Sequence, residues 1–406
     1  MRGVGDNEPM PPAPTPAPWA RVTRDLPAPL AVVDLPTFDR NAEDLSRRAG
    51  GVPIRVASKS VRVPELLRRM LERPGTIGVM AYSLREAIWL VRAGLTTDVL
   101  LGYPAVDPAA LAELAADPGL RRAITLMIDD AAHLDLIARA AAGAAGQDLA
   151  AQPVRVCLDI DASLRIGRVH IGARRSPLRT PEQARRLAAD AHGRPGIAVR
   201  GLMFYEAQVA GVGEAGWRGP IVRGLKRLSL AELATRRASV VRAVEEVTGP
   251  GLLVNGGGSG SVAQTTADPV ITEVTAGSGL FVPTLFDHYA AFTPRPAAFF
   301  GLDVVRRPAP GYATAFAGGY IASGAVGSDR WPAPLAGRLT GSEGAGEVQT
   351  PLRFGVGREP AIGDRVWFRH AKAGEAMERF DRVHLVDGAD LLATVATYRG
   401  EGLDFG

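Results

Sequence analysis

Lysine is almost missing from this chain: of 47 basic residues in 406, only Lys59, Lys226 and Lys372 are lysines. Cysteine is rarer still. Cys157 stands alone, which excludes an intrachain disulfide and any thiolate cluster for a metal or an iron–sulfur centre. No apolar run approaches the roughly 18 residues of a membrane span, and the N-terminus lacks the apolar core of a signal peptide. The net charge is only +4, with arginines scattered among 43 acidic residues. Without a basic tail or an aromatic-interleaved basic stripe, neither nucleic acid nor a membrane is an expected partner. What remains is a cytoplasmic enzyme or binding protein, 46% hydrophobic and 22% charged.

The scarcity of lysine directs attention to Lys59. Ile54 to Ala57 follows Pro53 as a short apolar-rich run of strand length, and Pro64-Glu65-Leu66-Leu67 opens a helical pattern. Lys59 therefore sits where a strand ends and a turn begins, the face on which α/β barrels carry their chemistry. A primary amine, unlike a guanidinium, can shed its proton when desolvated and condense with a carbonyl.

Residues 8 to 18 are too proline-rich to pack, and residues 1–24 are expected to form a disordered leader. Leu30 to Val33 then reads as a strand and Pro36 to Ala49 as a helix. Counted from Ile54, eight strands alternate with helices: Ile54–Ala57, Ile77–Met80, Asp98–Leu101, Ala123–Ile128, Val154–Ile160, Ile197–Met203, Leu252–Asn255 and Ile271–Thr275. A long helix is expected from Leu230 to Val247. The pattern predicts an α/β fold, a (β/α)8 TIM-type barrel over residues 25–297. Past residue 297 short runs between Gly- and Pro-rich turns predict a small C-terminal β domain, residues 298–406, with strands at Ala298–Val305, Gly318–Ser323, Arg365–Phe368, Val383–Val386 and Leu391–Thr397. The strand at Leu30–Val33 could pair into that unit.

Directly after the seventh barrel strand comes Asn255-Gly256-Gly257-Gly258-Ser259-Gly260-Ser261, and after the eighth Ala276-Gly277-Ser278-Gly279. Successive glycines let backbone amides converge on an anion, and these two loops are the usual phosphate site of a (β/α)8 barrel. Gly257, Gly258, Ser259, Gly277 and Ser278 are accordingly candidate phosphate ligands. A lysine at one strand end and a phosphate cradle at two others suit pyridoxal 5'-phosphate (PLP), an aldehyde at one end and a phosphate at the other.

The order of Lys59, Ala81-Tyr82-Ser83-Leu84-Arg85-Glu86-Ala87, Asp159-Ile160-Asp161-Ala162-Ser163-Leu164-Arg165-Ile166-Gly167, Gly201-Leu202-Met203-Phe204-Tyr205-Glu206-Ala207-Gln208 and the Gly256-Gly257-Gly258 loop resembles the fold-type III PLP enzymes. Within them the chain is similar to the D-threonine aldolase and D-serine dehydratase branch, with alanine racemase more distant. The resemblance implies that Lys59 is the Schiff-base lysine, that Arg165 bonds the cofactor's phenolic oxygen, and that Tyr205 and Gln208 line the ring pocket. It also implies a homodimer. In that branch a His followed two positions later by Cys or Asp binds a divalent metal; here the segment reads His370-Ala371-Lys372, which puts the metal in doubt and leaves His370 and His384 as weak candidate ligands and His370 and Lys372 as substrate-facing candidates.

The expected function is lyase chemistry on a small-molecule D-amino acid bearing a β-hydroxyl, by retro-aldol cleavage or dehydration. An amino-acid racemase and a PLP carrier without turnover are the alternatives.

Overall fold

Asp34 ends the first strand and caps the first helix, Leu35–Ala49: its Oδ1 accepts the Thr37 amide at 2.8 Å, Pro36 occupies the opening turn, and Gly50 closes the helix at φ +60°. A cap of this kind is worth about 1 kcal/mol. The device recurs with Asp107 before Pro108, Asp117 before Pro118 and Thr180 before Pro181, so each of these helices starts at a residue legible in the sequence.

The computed structural model describes residues 18–405 apart from 144–148, 218, 291 and 326. Its strands are β1 (Leu30–Asp34), β2 (Ile54–Ala57), β3 (Thr76–Ala81), β4 (Val99–Pro104), β5 (Ile124–Ile128), β6 (Val154–Asp159), β7 (Leu164–Ile166), β8 (Val169–Ile171), β9 (Ile197–Phe204), β10 (Leu253–Gly256) and β11 (Glu273–Ala276). Eight of them, β2-β3-β4-β5-β6-β9-β10-β11, close into a parallel barrel. These are the eight strands expected from the sequence. The short hairpin β7–β8 stands apart as an insertion after β6.

At the N-terminal end of the barrel Arg55 is 1% exposed inside the ring. It donates to both oxygens of Glu273 at 2.8 and 2.9 Å and to Asp98 Oδ1 at 2.9 Å, while Asn255 adds a 2.7 Å bond to Glu273. A buried guanidinium with this full set of acceptors is compensated for its lost hydration. Leu100, Met127, Cys157 and Met203 fill the layer above it. That plug leaves the C-terminal mouth as the open end.

The remaining strands are β12 (Ala298–Arg306), β13 (Tyr312–Phe316), β14 (Ala333–Pro334), β15 (Arg338–Leu339), β16 (Gln349–Arg353), β17 (Arg365–Arg369), β18 (Arg382–Asp387) and β19 (Asp390–Ala396). With β1 they form one sheet, in the order β15-β16-β13-β12-β1-β18-β19, with β17 also paired to β12. β1 thus belongs to the sheet and not to the barrel.

Three expectations need correction. The segment Gly318–Ser323 is not a strand: Ala317 at φ +66° and Gly318 at φ +117° break the extended chain, and the ladder runs instead through Tyr312–Phe316 against Gln349–Arg353. The long helix spans Gly219–Thr248 and starts eleven residues earlier than expected, because Lys226 on its first turns is buried against Glu214 and the Val212 carbonyl. Of the expected leader, residues 1–17 lie outside the described residues. Residues 18–24 are anchored at two points: the Trp19 ring lies 4.6 Å from Phe299 and 6.2 Å from Trp367, and Thr23 is buried.

Candidate active site

Lys59 occupies a one-turn 3-10 segment, Ser58–Ser60, immediately after β2. The turn is pinned on both sides. Ser58 Oγ donates to the Met80 carbonyl at 3.0 Å, and Gly374, at φ +88°, lies so close to the Lys59 carbonyl that no Cβ could be accommodated there. Gly374 comes from the sheet domain, so both domains fix this strand end.

The Lys59 side chain enters a cavity at the C-terminal mouth of the barrel, walled by Ala57, Met80 to Tyr82, Gly102 and Tyr103, Met203 and Tyr205, and the two loops after β10 and β11. Lys59 Nζ donates to the hydroxyl of Tyr103, the last aromatic of β4, and stands 5.1 Å from that ring's centroid. Arg175 enters from the coil after β8. Its guanidinium lies 5.3 Å from the Tyr103 ring and 4.7 Å from the Tyr205 ring, a bridge between the two phenols. Burial opposes ionisation of Tyr103, but the Lys59 ammonium and the Arg175 guanidinium outweigh it and hold the phenol below its ordinary range. Tyr205 moves the other way, raised by burial. Behind Arg175, burial lifts the Asp159 carboxyl to about 7.

Across the two neighbouring strands the small-residue loops are tied together by one side chain. Ser259 Oγ accepts the amides of Gly277 at 3.2 Å and Gly279 at 2.9 Å. Gly257 adopts φ +80° and gives its amide to Glu206 at 3.1 Å, a carboxylate with no exposure that also accepts from Thr265. Gly258 lies under Tyr205, where an added Cβ would stand 3.0 Å from Ala210 Cβ and 3.5 Å from the ring. The Ser259 and Ser278 amides donate to no other described residue. Free amides on two adjacent loops, beside a lysine on the next strand, fit a molecule with a phosphate at one end and a carbonyl at the other.

Lys59, Tyr205, Gly257, Gly258, Ser259, Gly277 and Ser278 therefore line one cavity. Arg165 does not. It sits on the first arm of the β7–β8 hairpin, half-exposed, with Nη2 on Asp161 at 2.6 Å. The hairpin carries the Arg-x-Gly pattern away from the mouth, and Arg175, ten residues on, is the guanidinium that reaches it. Gln208 is buried one layer behind, its amide donating to the Ala162 carbonyl and Ser229 Oγ, both at 2.7 Å.

The histidines fall elsewhere. His370 is 3% exposed, its Nε2 has no partner among the described residues, and burial depresses its imidazole to about 4. His384 lies on β18, three strand spacings across the sheet from β17, or about 14 Å, with Nδ1 bonded to Thr394 at 2.8 Å. Lys372 Nζ donates to Ser323 Oγ at 3.1 Å. His370 and Lys372 border a second cavity, of about 720 Å³, on the sheet side of Arg62, and not the one around Lys59. An ammonium and one imidazole are not the donor set of a divalent cation, and among the described residues no group of three His, Cys, Asp or Glu side chains is placed to hold one.

The family model for the alanine racemase N-terminal domain matches residues 33–284, which contain the whole barrel and both loops. The chain belongs to this family, in the fold-type III branch of PLP enzymes. It is 29% identical to D-threonine aldolase from Arthrobacter sp. over 307 residues, 74% of this chain and 73% of that protein. It is 25% identical to 3-hydroxy-D-aspartate aldolase from Paracoccus denitrificans over 263 residues, 64% of this chain and 61% of that one. The crystal structure of D-threonine aldolase from Filomicrobium marinum superposes with a TM-score of 0.76 at 21% identity, covering 94% of this chain and 97% of that one. D-threo-3-hydroxyaspartate dehydratase from Delftia sp. HT23 gives 0.68 at 20% identity, over 92% and 98%. At these identities the two structures establish the shared fold, barrel and sheet together.

Tyr103 and Arg175 escaped the sequence analysis. Tyr103 had a signal: in Leu100-Leu101-Gly102-Tyr103-Pro104 an aromatic directly follows a buried run and precedes a strand-ending proline, as Lys59 follows Ile54–Ala57. Arg175 had none, being one of several arginines in a coil.

Proposed function

We propose that this chain is a PLP-dependent lyase that acts on a β-hydroxy amino acid of D configuration. The observation that carries the reading is the amine of Lys59 at the barrel mouth, next to two loops tied by Ser259 with amides free for a phosphate. The names of the relatives, aldolases and a dehydratase of such substrates, agree with it.

In this reading Lys59 Nζ holds the aldehyde end of PLP, and the Ser259 and Ser278 amides hold the phosphate. PLP, once bound, supplies an electron sink for the pair left on the substrate's Cα. The chain's own residues do the rest. Tyr205, kept neutral by burial, offers a phenol and not a carboxylate to the pocket. Arg175 supplies fixed positive charge between the two phenols, where it can orient an anionic substrate group without reorganisation. Met80, Met203 and Ala57 give the cavity apolar walls that exclude water from the reacting carbon.

The test is a substrate panel of D-threonine, D-serine and D-threo-3-hydroxyaspartate, with D-alanine and the L-enantiomers as controls. Glycine plus an aldehyde identifies aldol cleavage, and a keto acid plus ammonia identifies dehydration. Turnover of D-alanine to its enantiomer with no lyase product would overturn the reading in favour of a racemase.

A further inference from the structure

We propose that Tyr103 is the proton partner of Lys59: its phenolic oxygen takes the proton that Nζ must shed before the amine attacks a carbonyl carbon, and afterwards gives it back. The inference deepens the reading above and rests on it for the identity of the carbonyl compound. The exchange itself belongs to the two side chains.

An ammonium has no lone pair, and near neutral pH an amine is almost entirely protonated, so a lysine nucleophile needs an acceptor within reach. Around Lys59 Nζ the described residues provide one such contact, the Tyr103 hydroxyl. No carboxylate among them touches this nitrogen. An amine and a phenol have ordinary proton affinities within about half a pK unit of each other, so a proton moves between them at little cost. Two cations then favour the phenolate. Lys59 lies along one side of Tyr103, and the Arg175 guanidinium lies 5.3 Å from its ring.

The other titratable groups around the pair do not compete for this role. Tyr205, just past β9, and Tyr82, just past β3, are both raised by burial and stay neutral. Asp159 acts on Arg175 from behind, and Asp129, after β5, lies 3.3 Å from His133. Burial is the largest single influence on Tyr103 and opposes its ionisation, yet the net direction is downward. Lys59 and, after it, Arg175 are the influences that bring it down.

The step balances. The Lys59 ammonium would pass one proton to the Tyr103 phenolate, and the freed lone pair would form a bond to the aldehyde carbon. The aldehyde oxygen leaves as water with the two hydrogens still on nitrogen. The Tyr103 proton then returns to the nitrogen.

The experiment has one arm that does not involve PLP. The purified protein, cleared of bound carbonyl compounds with hydroxylamine, is titrated by near-ultraviolet absorbance alongside Tyr103→Phe and Lys59→Met. The difference between wild type and Tyr103→Phe is expected to show one phenol ionising below the ordinary range near pH 10, and in Lys59→Met that phenol is expected to move upward. In the second arm PLP is added and covalent capture is followed across pH. Tyr103→Phe should be slower by on the order of 100-fold near neutral pH and recover toward the wild-type rate as the solution becomes alkaline. Pyridoxine 5'-phosphate, which lacks the carbonyl, should bind both proteins alike, separating lost chemistry from a damaged pocket. A Tyr103 phenol that titrates with the ordinary tyrosines, or pH profiles that superimpose, overturns the proposal. If neither protein captures PLP, the cofactor reading falls, and the phenol titration still decides the role of Tyr103. Should Tyr103→Phe fail to fold, the Lys59→Met titration decides that role alone: an unchanged phenol profile there overturns the proposal.

Discussion

Gly257 shows how much of the site is held by single residues. Its φ of +80° is open to glycine, and a side chain there would meet Thr265 Oγ1 at 3.2 Å, the hydroxyl that bonds Glu206. Gly257→Val therefore adds backbone strain of about 1–3 kcal/mol and displaces the carboxylate that anchors the loop. We expect PLP affinity to fall by one to two orders of magnitude, about the equivalent of that strain, read by spectroscopic titration of the stripped protein. Unchanged affinity would move the phosphate to another loop. At this scale the sequence was an uneven guide. Lys59 and the serines of the two loops could be found because their place after a strand fixes where they point. Arg165 could not be told from Arg175, because a hairpin of eight residues, Leu164–Ile171, decides which of them returns to the mouth and hairpin geometry is not encoded in the Arg-x-Gly pattern.

At the scale of elements, the barrel strands were legible because near-continuous apolar runs alternate with Asp-, Thr- and Pro-initiated helices. The sheet strands were less so: Tyr312–Phe316 carries no clear alternation, and its pairing with residues 349–353 depends on partners far along the chain. The contact between the two domains was not legible at all. Glu86, on the first turn of the helix Leu84–Arg92 that Ser83 caps, accepts the Tyr82 amide at 2.8 Å and the Tyr398 hydroxyl of the sheet domain at 2.9 Å. Burial pushes this carboxyl up to about 7, against the bonds from Tyr82 and Tyr398. The folded protein therefore keeps a proton that the unfolded chain loses above its ordinary value of about 4.3, and stability falls as pH rises through that window. The slope is at most about 1.4 kcal/mol per pH unit. Glu86→Gln should remove it, so that the variant gains on the wild type as pH rises from the ordinary carboxylate range toward 7 in urea unfolding. A pH-independent difference between the two would show that Glu86 keeps its charge.

At the scale of the whole molecule, we expect a homodimer in solution, with twice the 42.7 kDa mass of one chain by light scattering. The cavity of about 720 Å³ beside Arg62, with Lys372 and His370 on its wall, is open surface on which a second chain could seat. Removal of residues 298–406 should abolish turnover even where the barrel folds. A fully active monomer would refute the expected dimer.

The glycine at 374 restricts exchange of parts among relatives. It touches the carbonyl of Lys59 from the other domain, and no larger residue fits. A chimaera that joins this barrel to a borrowed sheet must bring a glycine to that position, or the lysine is pushed off its strand end. The two domains can exchange as modules only when one hydrogen atom, in place of a methyl group, travels with them.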